Sequence, residues 1–262
     1  MRSSFAMAAL ACAVMLPLSG TATAATASPI DDAKLIANPL YEAGPLPATS
    51  CAEKPIKRND KALARAYING VVACLDRTWG RHLKAAGLPF RKITVKHVAK
   101  IPKKYCGYDI GDSNSQSYYC PKTGTLVFQL GADWLDDAGD LWLFNMTAAM
   151  YGIHVQNLVG IEKAYLKLTY ANKSEMYEQD RRVNLQSDCL GGAFVRSVWP
   201  MKGRSAEDWQ VVLGYTQTGG DEPGEPRWLG KGSTRVAWTK NGYAEGDPAA
   251  CNTWAAEPAD VA

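Results

Sequence analysis

The chain has 262 residues, is 47% hydrophobic and 21% charged, and carries a formal net charge of +3. That length supports one domain with a substantial core, or one with a small appendage. The near-neutral balance, without a basic run, excludes a surface that tracks phosphates, so no nucleic-acid partner is expected. Lys96, Lys100, Lys103 and Lys104, near Arg91 and Lys92, read as a solvated loop patch.

Residues 1–24 read as a secretory signal peptide: Met1-Arg2, an apolar run over Phe5–Leu18, then Ala22-Thr23-Ala24 as a cleavage site. The run is about 14 residues, short of the ~20 that span a bilayer, and no later segment is long and apolar enough to cross. A secreted or cell-envelope protein follows, after cleavage near Ala24; an uncleaved N-terminal anchor is the rival reading. Residues 25–58, rich in Ala, Pro and Thr and without periodicity, read as an extended N-terminal arm. From Asp60 to Gly87 the apolar spacing is helical, and Gly87-Leu88-Pro89 stops it. Residues 91–99 alternate as a strand would. Residues 117–120 and 125–130 flank Pro121-Lys122-Thr123-Gly124 as a hairpin.

Residues 139–161 form the longest apolar helical segment, apolar almost all round, as in a helix at the centre of a domain. Further helices are predicted from about Met176 to Val198, from Ser205 to Thr216, and over 233–245, closed by Gly246-Asp247-Pro248. Residues 219–224 are a loop on composition. The mixture is α+β, with the main domain over 59–254 and a short tail over 255–262.

Loss of the leader removes Cys12 and leaves Cys51, Cys74, Cys106, Cys120, Cys189 and Cys251. An even set in an exported chain favours disulfides. Connectivity is not fixed by sequence; nearest-neighbour pairing of Cys51 with Cys74 and Cys106 with Cys120 would leave Cys189 with Cys251. A metal-thiolate site is the weaker alternative, because no C-x-x-C occurs.

The central helix carries the most informative stretch. Residues 148–158 read Ala-Ala-Met-Tyr-Gly-Ile-His-Val-Gln-Asn-Leu. With Cys74–Trp79, Ala86–Phe90, Tyr118-Tyr119-Cys120-Pro121, Arg181–Cys189 and the block from Gly232 to Cys251, it resembles the neutral zinc metallopeptidase family. That family carries HEYGHHVQ and ELQADC segments. The resemblance implies a zincin-like α+β fold: a small strand region and a central, buried, active-site-type helix. It also implies zinc at the two His of His-Glu-x-x-His, which lie on one helix face, with the Glu beside them as general base.

The catalytic letters are absent. Ala149, Met150 and Ile153 stand where His, Glu and His are expected; Asn184 stands for the third ligand, and Lys231 for the His of an HGTS segment. None of the first three exchanges a proton or binds zinc in the usual way. Asp188, at the orienting position, is still an acid. Met146, Met150 and His154 fall at i, i+4 and i+8, a soft set of the kind copper(I) takes, but a Met stripe on a buried helix is ordinarily core. Asn145-Met146-Thr147 and Asn172-Lys173-Ser174 are glycosylation-type triplets, the first inside the buried helix.

The resemblance therefore implies a secreted, catalytically inactive homologue that uses neither zinc nor another cofactor. It would act as a peptide- or protein-binding or regulatory module on an extracellular partner. Tyr151, His154, Gln156 and Asp188 are the candidate cleft residues. The alternatives are an active zinc metallopeptidase with non-standard ligands, and a structural cell-envelope protein. If the four candidates line an open groove, binding is favoured; if they are buried and mutually bonded, structure is.

Overall fold

A computed structural model describes residues 30–136 and 141–262. The signal-peptide reading of residues 1–24, the start of the arm and residues 139–140 of the predicted central helix lie outside the described residues. Seven helices follow in chain order: α1 (Ala33–Ile36), α2 (Lys61–Ala85), α3 (Trp142–Leu158), α4 (Ile161–Tyr165), α5 (Lys173–Val198), α6 (Ala206–Thr218) and α7 (Gly232–Glu245). Between α2 and α3 lie β1 (Thr94–Val98), β2 (Lys104–Tyr105), β3 (Tyr108–Asp109), β4 (Gln116–Cys120) and β5 (Thr125–Gln129). The larger sheet has the order β1-β5-β4, with β1 parallel and β4 antiparallel to β5. β5, in the centre, is buried at every position. The α+β architecture is the one expected.

Local signals explain most boundaries. The Asp60 side chain accepts from Ala62 N and Leu63 N at the start of α2, and Ser205 and Asp208 form a capping box on α6. α5 begins at Lys173, three residues ahead of the predicted start. Asn172 accepts from Glu175 N at 3.0 Å, and Glu175 Oε2 accepts from Ala171 N at 2.7 Å. The second glycosylation-type triplet is thus also a helix cap. The helix predicted over 139–161 is two helices, because Gly160 sits at φ 83°, a left-handed conformation that ends α3 and opens α4. The two-residue β2–β3 hairpin has no period to detect; its turn residues, Cys106 and Gly107, have φ of 56° and 95°.

The segment read as an extended arm is partly helical and built into the core. α1 and a 3₁₀ turn over Pro39–Glu42 place Leu35 and Leu40 at 0% exposure, and Asn38 Nδ2 donates to Val159 O at the end of α3. Its apolar residues are too sparse to show a period, yet each fills a gap between helices. The tail is also docked: Val261 is fully buried and its carbonyl accepts from Arg181 Nε at 2.7 Å. The cysteines pair as Cys51–Cys74, Cys106–Cys120 and Cys189–Cys251, with Cα separations of 5.9, 5.5 and 5.4 Å.

α5 is the axis of the helical part, packed on α3 and on α7. Glycines set both crossings. A Cβ on Gly191 would lie 2.8 Å from Ala149 N, and one on Gly242 would lie 1.9 Å from Cys189 O. The three helices touch backbone to backbone there, which brings the Ala149 face of α3 beside the Asp188 face of α5. No helix among the described residues is long and apolar enough to cross a membrane.

Candidate functional site

α3 presents two different faces. Asn145, Met146, Ala149, Met150 and Ile153, spaced by three and four residues, line a cleft of about 450 Å³. Asn184, Ser187 and Asp188 enter from α5, Tyr215 and Thr216 from α6, and Arg235 from α7. Trp134, on a 3₁₀ turn, and Trp142, the first residue of α3, meet edge-on at 5.5 Å between ring centroids; Trp142 and Tyr215 are 6.1 Å apart. The wall is aromatic and the floor mixed.

Asp188 and Arg235 form the strongest polar contact of the cleft. Arg235 Nε donates to Oδ2 at 2.8 Å and Nη2 to Oδ1 at 3.1 Å, with side-chain exposures of 10% and 20% for Asp188 and Arg235. The carboxylate raises the Arg235 pKa above its already high ordinary value. A third N–H of Arg235 donates to Gly219 O, so the guanidinium also ties the end of α6 to α7. Asn184 Nδ2 donates to Trp228 O at 3.0 Å and holds the loop that precedes α7.

The donor set can be compared with the zinc that the resemblance implies. Ala149, Met150, Ile153 and Asn184 line the cleft together, while Lys231 is exposed at the start of α7 and is not among the lining residues. Among the described residues, no His or Cys lines the cleft, and Asp133 and Asp188 are its carboxylates. Asp133 accepts from Ser115 Oγ, and Asp188 is occupied by Arg235. No group of three His, Cys, Asp or Glu placed to hold a metal occurs among the described residues. These residues do not fit zinc, which takes three or four N, S or O donors in a tetrahedron.

Three of the four predicted cleft residues lie on the other side of α3. Tyr151, His154 and Gln156 are all at 0% exposure and outside the cleft lining. Tyr151 OH donates to Asp76 Oδ1 at 2.7 Å, and burial raises its pKa. His154 Nε2 donates to Arg91 O at 2.8 Å and Nδ1 accepts from Tyr119 OH at 2.7 Å, so the imidazole is neutral with its proton on Nε2. Burial lowers its pKa. Asn157 Nδ2 completes the network through Tyr119 OH and Pro121 O. Gln156 Nε2 donates to Val183 O and Gln186 Oε1, while Gln186 Nε2 donates to Tyr41 OH and Cys251 O. The retained letters thus join α3 to α2, β4, α5 and the C-terminal segment. Asp188 alone of the four reaches the cleft. The Met146-Met150-His154 stripe is divided: the two thioethers line the cleft, and the imidazole faces the sheet.

The family model described as "Putative neutral zinc metallopeptidase" matches residues 22–222 of this chain. The chain belongs to the neutral zinc metallopeptidase family. The match covers every block quoted above except the one from Gly232 to Cys251, which lies beyond it. The chain is similar to "Uncharacterized protein YpfJ" of Escherichia coli strain K12, with 27% identity over 217 residues, 77% of this chain and 75% of that protein. The protein of the same description from Escherichia coli O6:H1 matches with the same figures. No solved structure matches the chain. For a neutral zinc metallopeptidase, the α+β fold with a small sheet on a central helix is zincin-like.

Sequence reasoning missed Asn145, Trp134, Trp142, Tyr215 and the pairing role of Arg235. Arg235 lies inside the Gly232–Cys251 block, 47 residues from Asp188, and nothing local in the sequence joins the two. Asn145 was visible only as an amide inside an apolar helix, which a triplet reading set aside. The aromatic residues come from three separate elements, and no spacing in the chain joins them.

Proposed function

We propose that this protein is a catalytically inactive neutral zinc metallopeptidase, exported through its N-terminal leader, whose cleft binds a peptide or a peptide segment of a partner protein. One observation carries the reading: Ala149, Met150, Ile153 and Asn184 line one cleft at the family's ligand positions, and none supplies a zinc donor or a general base. Burying a His pair and a Glu without metal would cost several kcal/mol, so apolar replacement is the stable outcome once zinc is lost. The cleft is open and aromatic, and β4, an edge strand of the sheet, packs on α3 beside it. An extended segment could pair with such an edge. Three cysteine pairs suit an oxidising compartment.

The burial of Tyr151, His154 and Gln156 supports a second reading for those letters, in which they are kept for packing in a structural envelope protein. Both readings predict the same metal behaviour. Purified protein, dialysed without chelator, should hold well under about one zinc per chain by elemental analysis and should cleave no peptide library. The combined variant A149H/M150E/I153H/N184E, which restores the donors on the two facing helices, should bind about one zinc per chain. Stoichiometric, chelator-sensitive zinc in the unsubstituted protein would instead restore the enzyme reading.

A further inference from the structure

Asn145 lies one turn before Ala149 on the cleft face of α3. It is 7% exposed, its Oδ1 is buried without a hydrogen-bond partner, and no hydrogen bond among the described residues uses its amide nitrogen. An amide oxygen kept out of water without a donor destabilises the free protein. Leu has nearly the same shape and would remove that cost, so the free protein alone gives no reason for an amide here.

The surroundings define what would satisfy it. The Trp134, Trp142 and Tyr215 wall offers aromatic faces and edges set at steep angles to one another. The described lining holds one full ion pair, Asp188 with Arg235, already closed on itself. Its other carboxylate, Asp133, accepts from Ser115 Oγ and has no cationic partner among the described residues, so the floor disfavours an acidic group. Of its two amides, Asn184 is tied to Trp228 O, while Asn145 offers a donor and an acceptor side by side, which a peptide group complements.

We propose that Asn145 is the anchor of the cleft. It would pair with a backbone amide of a peptide segment without acidic side chains while the adjacent bulky apolar side chain, aromatic or Leu-like, rests on the Trp134–Trp142–Tyr215 wall. The inference rests on the peptide-binding reading above and names its ligand class and its specificity-determining residue. Nothing in this arrangement uses β4, so anchoring at Asn145 and strand pairing at the edge are separable.

The test uses the disulfide-bonded protein and a phage-displayed library of random heptapeptides. Selected sequences are synthesised with acetylated and amidated ends and titrated by calorimetry. The expected selection is peptides without acidic residues and with a central Phe, Trp or Leu. Asn145→Leu should weaken their binding about tenfold or more while raising Tm by roughly 2–4 °C, since it fills the same space without a polar group to satisfy. Asn145→Ala should weaken binding similarly without the rise in Tm. If no peptide is selected above a disulfide-bonded control protein, the peptide-binding reading fails and the anchor with it. If peptides bind but Asn145→Leu and Asn145→Ala bind them equally well, the reading stands and the anchor is overturned. Selection of acidic peptides overturns the ligand class.

Discussion

The two faces of α3 differ in what each residue touches. On the face toward the sheet and α2, Tyr151 and His154 close hydrogen bonds with Asp76, Tyr119 and Arg91 at 2.7–2.8 Å. On the cleft face, Ala149, Met150 and Ile153 have no hydrogen-bonding groups, and Asn145 has no partner. One face is a frame whose polar groups are closed on neighbouring elements, and the other meets the cleft.

Substitutions on and around the two faces should separate frame from site. The largest loss is expected from Asp188→Ala, a cleft residue that belongs to the frame. It leaves the Arg235 guanidinium buried and uncompensated, for a loss of about 3–5 kcal/mol in urea unfolding. His154→Phe removes the partner of Arg91 O and one partner of Tyr119 OH, for about 2–4 kcal/mol by the same measurement.

Glu162, in α4 against the frame, gives a pH signature. Burial raises its pKa to about 7. Tyr108, Tyr119 and Tyr165 feel its charge, and each pKa is raised chiefly by the tyrosine's own burial. A folded pKa above the unfolded one means stability that is full below the ordinary Glu value and is lost as pH rises through 7. That loss is on the order of 2–3 kcal/mol. Glu162→Gln should flatten this part of a pH–Tm profile; an unchanged slope would show that another group carries it. The smallest change is expected on the cleft face, where Met150→Leu conserves volume beside open space and should cost under about 1 kcal/mol. A cost there equal to that of His154→Phe would erase the distinction between the faces.

The helical period of α2, the start of α6 at Ser205 and the hairpin of β4 and β5 were legible because each depends on neighbours within a few residues. The family membership was legible too, since its blocks are runs of adjacent letters. The direction of Tyr151, His154 and Gln156 was not. A helix apolar almost all round has no sequence signal for which side meets a cleft, and Gly152, Gly191 and Gly242 decide that by letting α3, α5 and α7 touch. The docking of Leu35, Leu40 and Val261 was equally hidden, because isolated apolar residues in irregular segments have no period.

The sequence by itself determined the α+β class, the longer helices, the family and the cysteine set available for pairing, all properties of adjacent or regularly spaced residues. Tertiary structure alone decided that Ala149, Met150, Ile153 and Asn184 share one cleft, that Asp188 is paired with Arg235, and that Trp134, Trp142 and Tyr215 form its wall around an unpartnered Asn145. Those relations join residues far apart in the chain, and close packing of the three central helices brings them within reach.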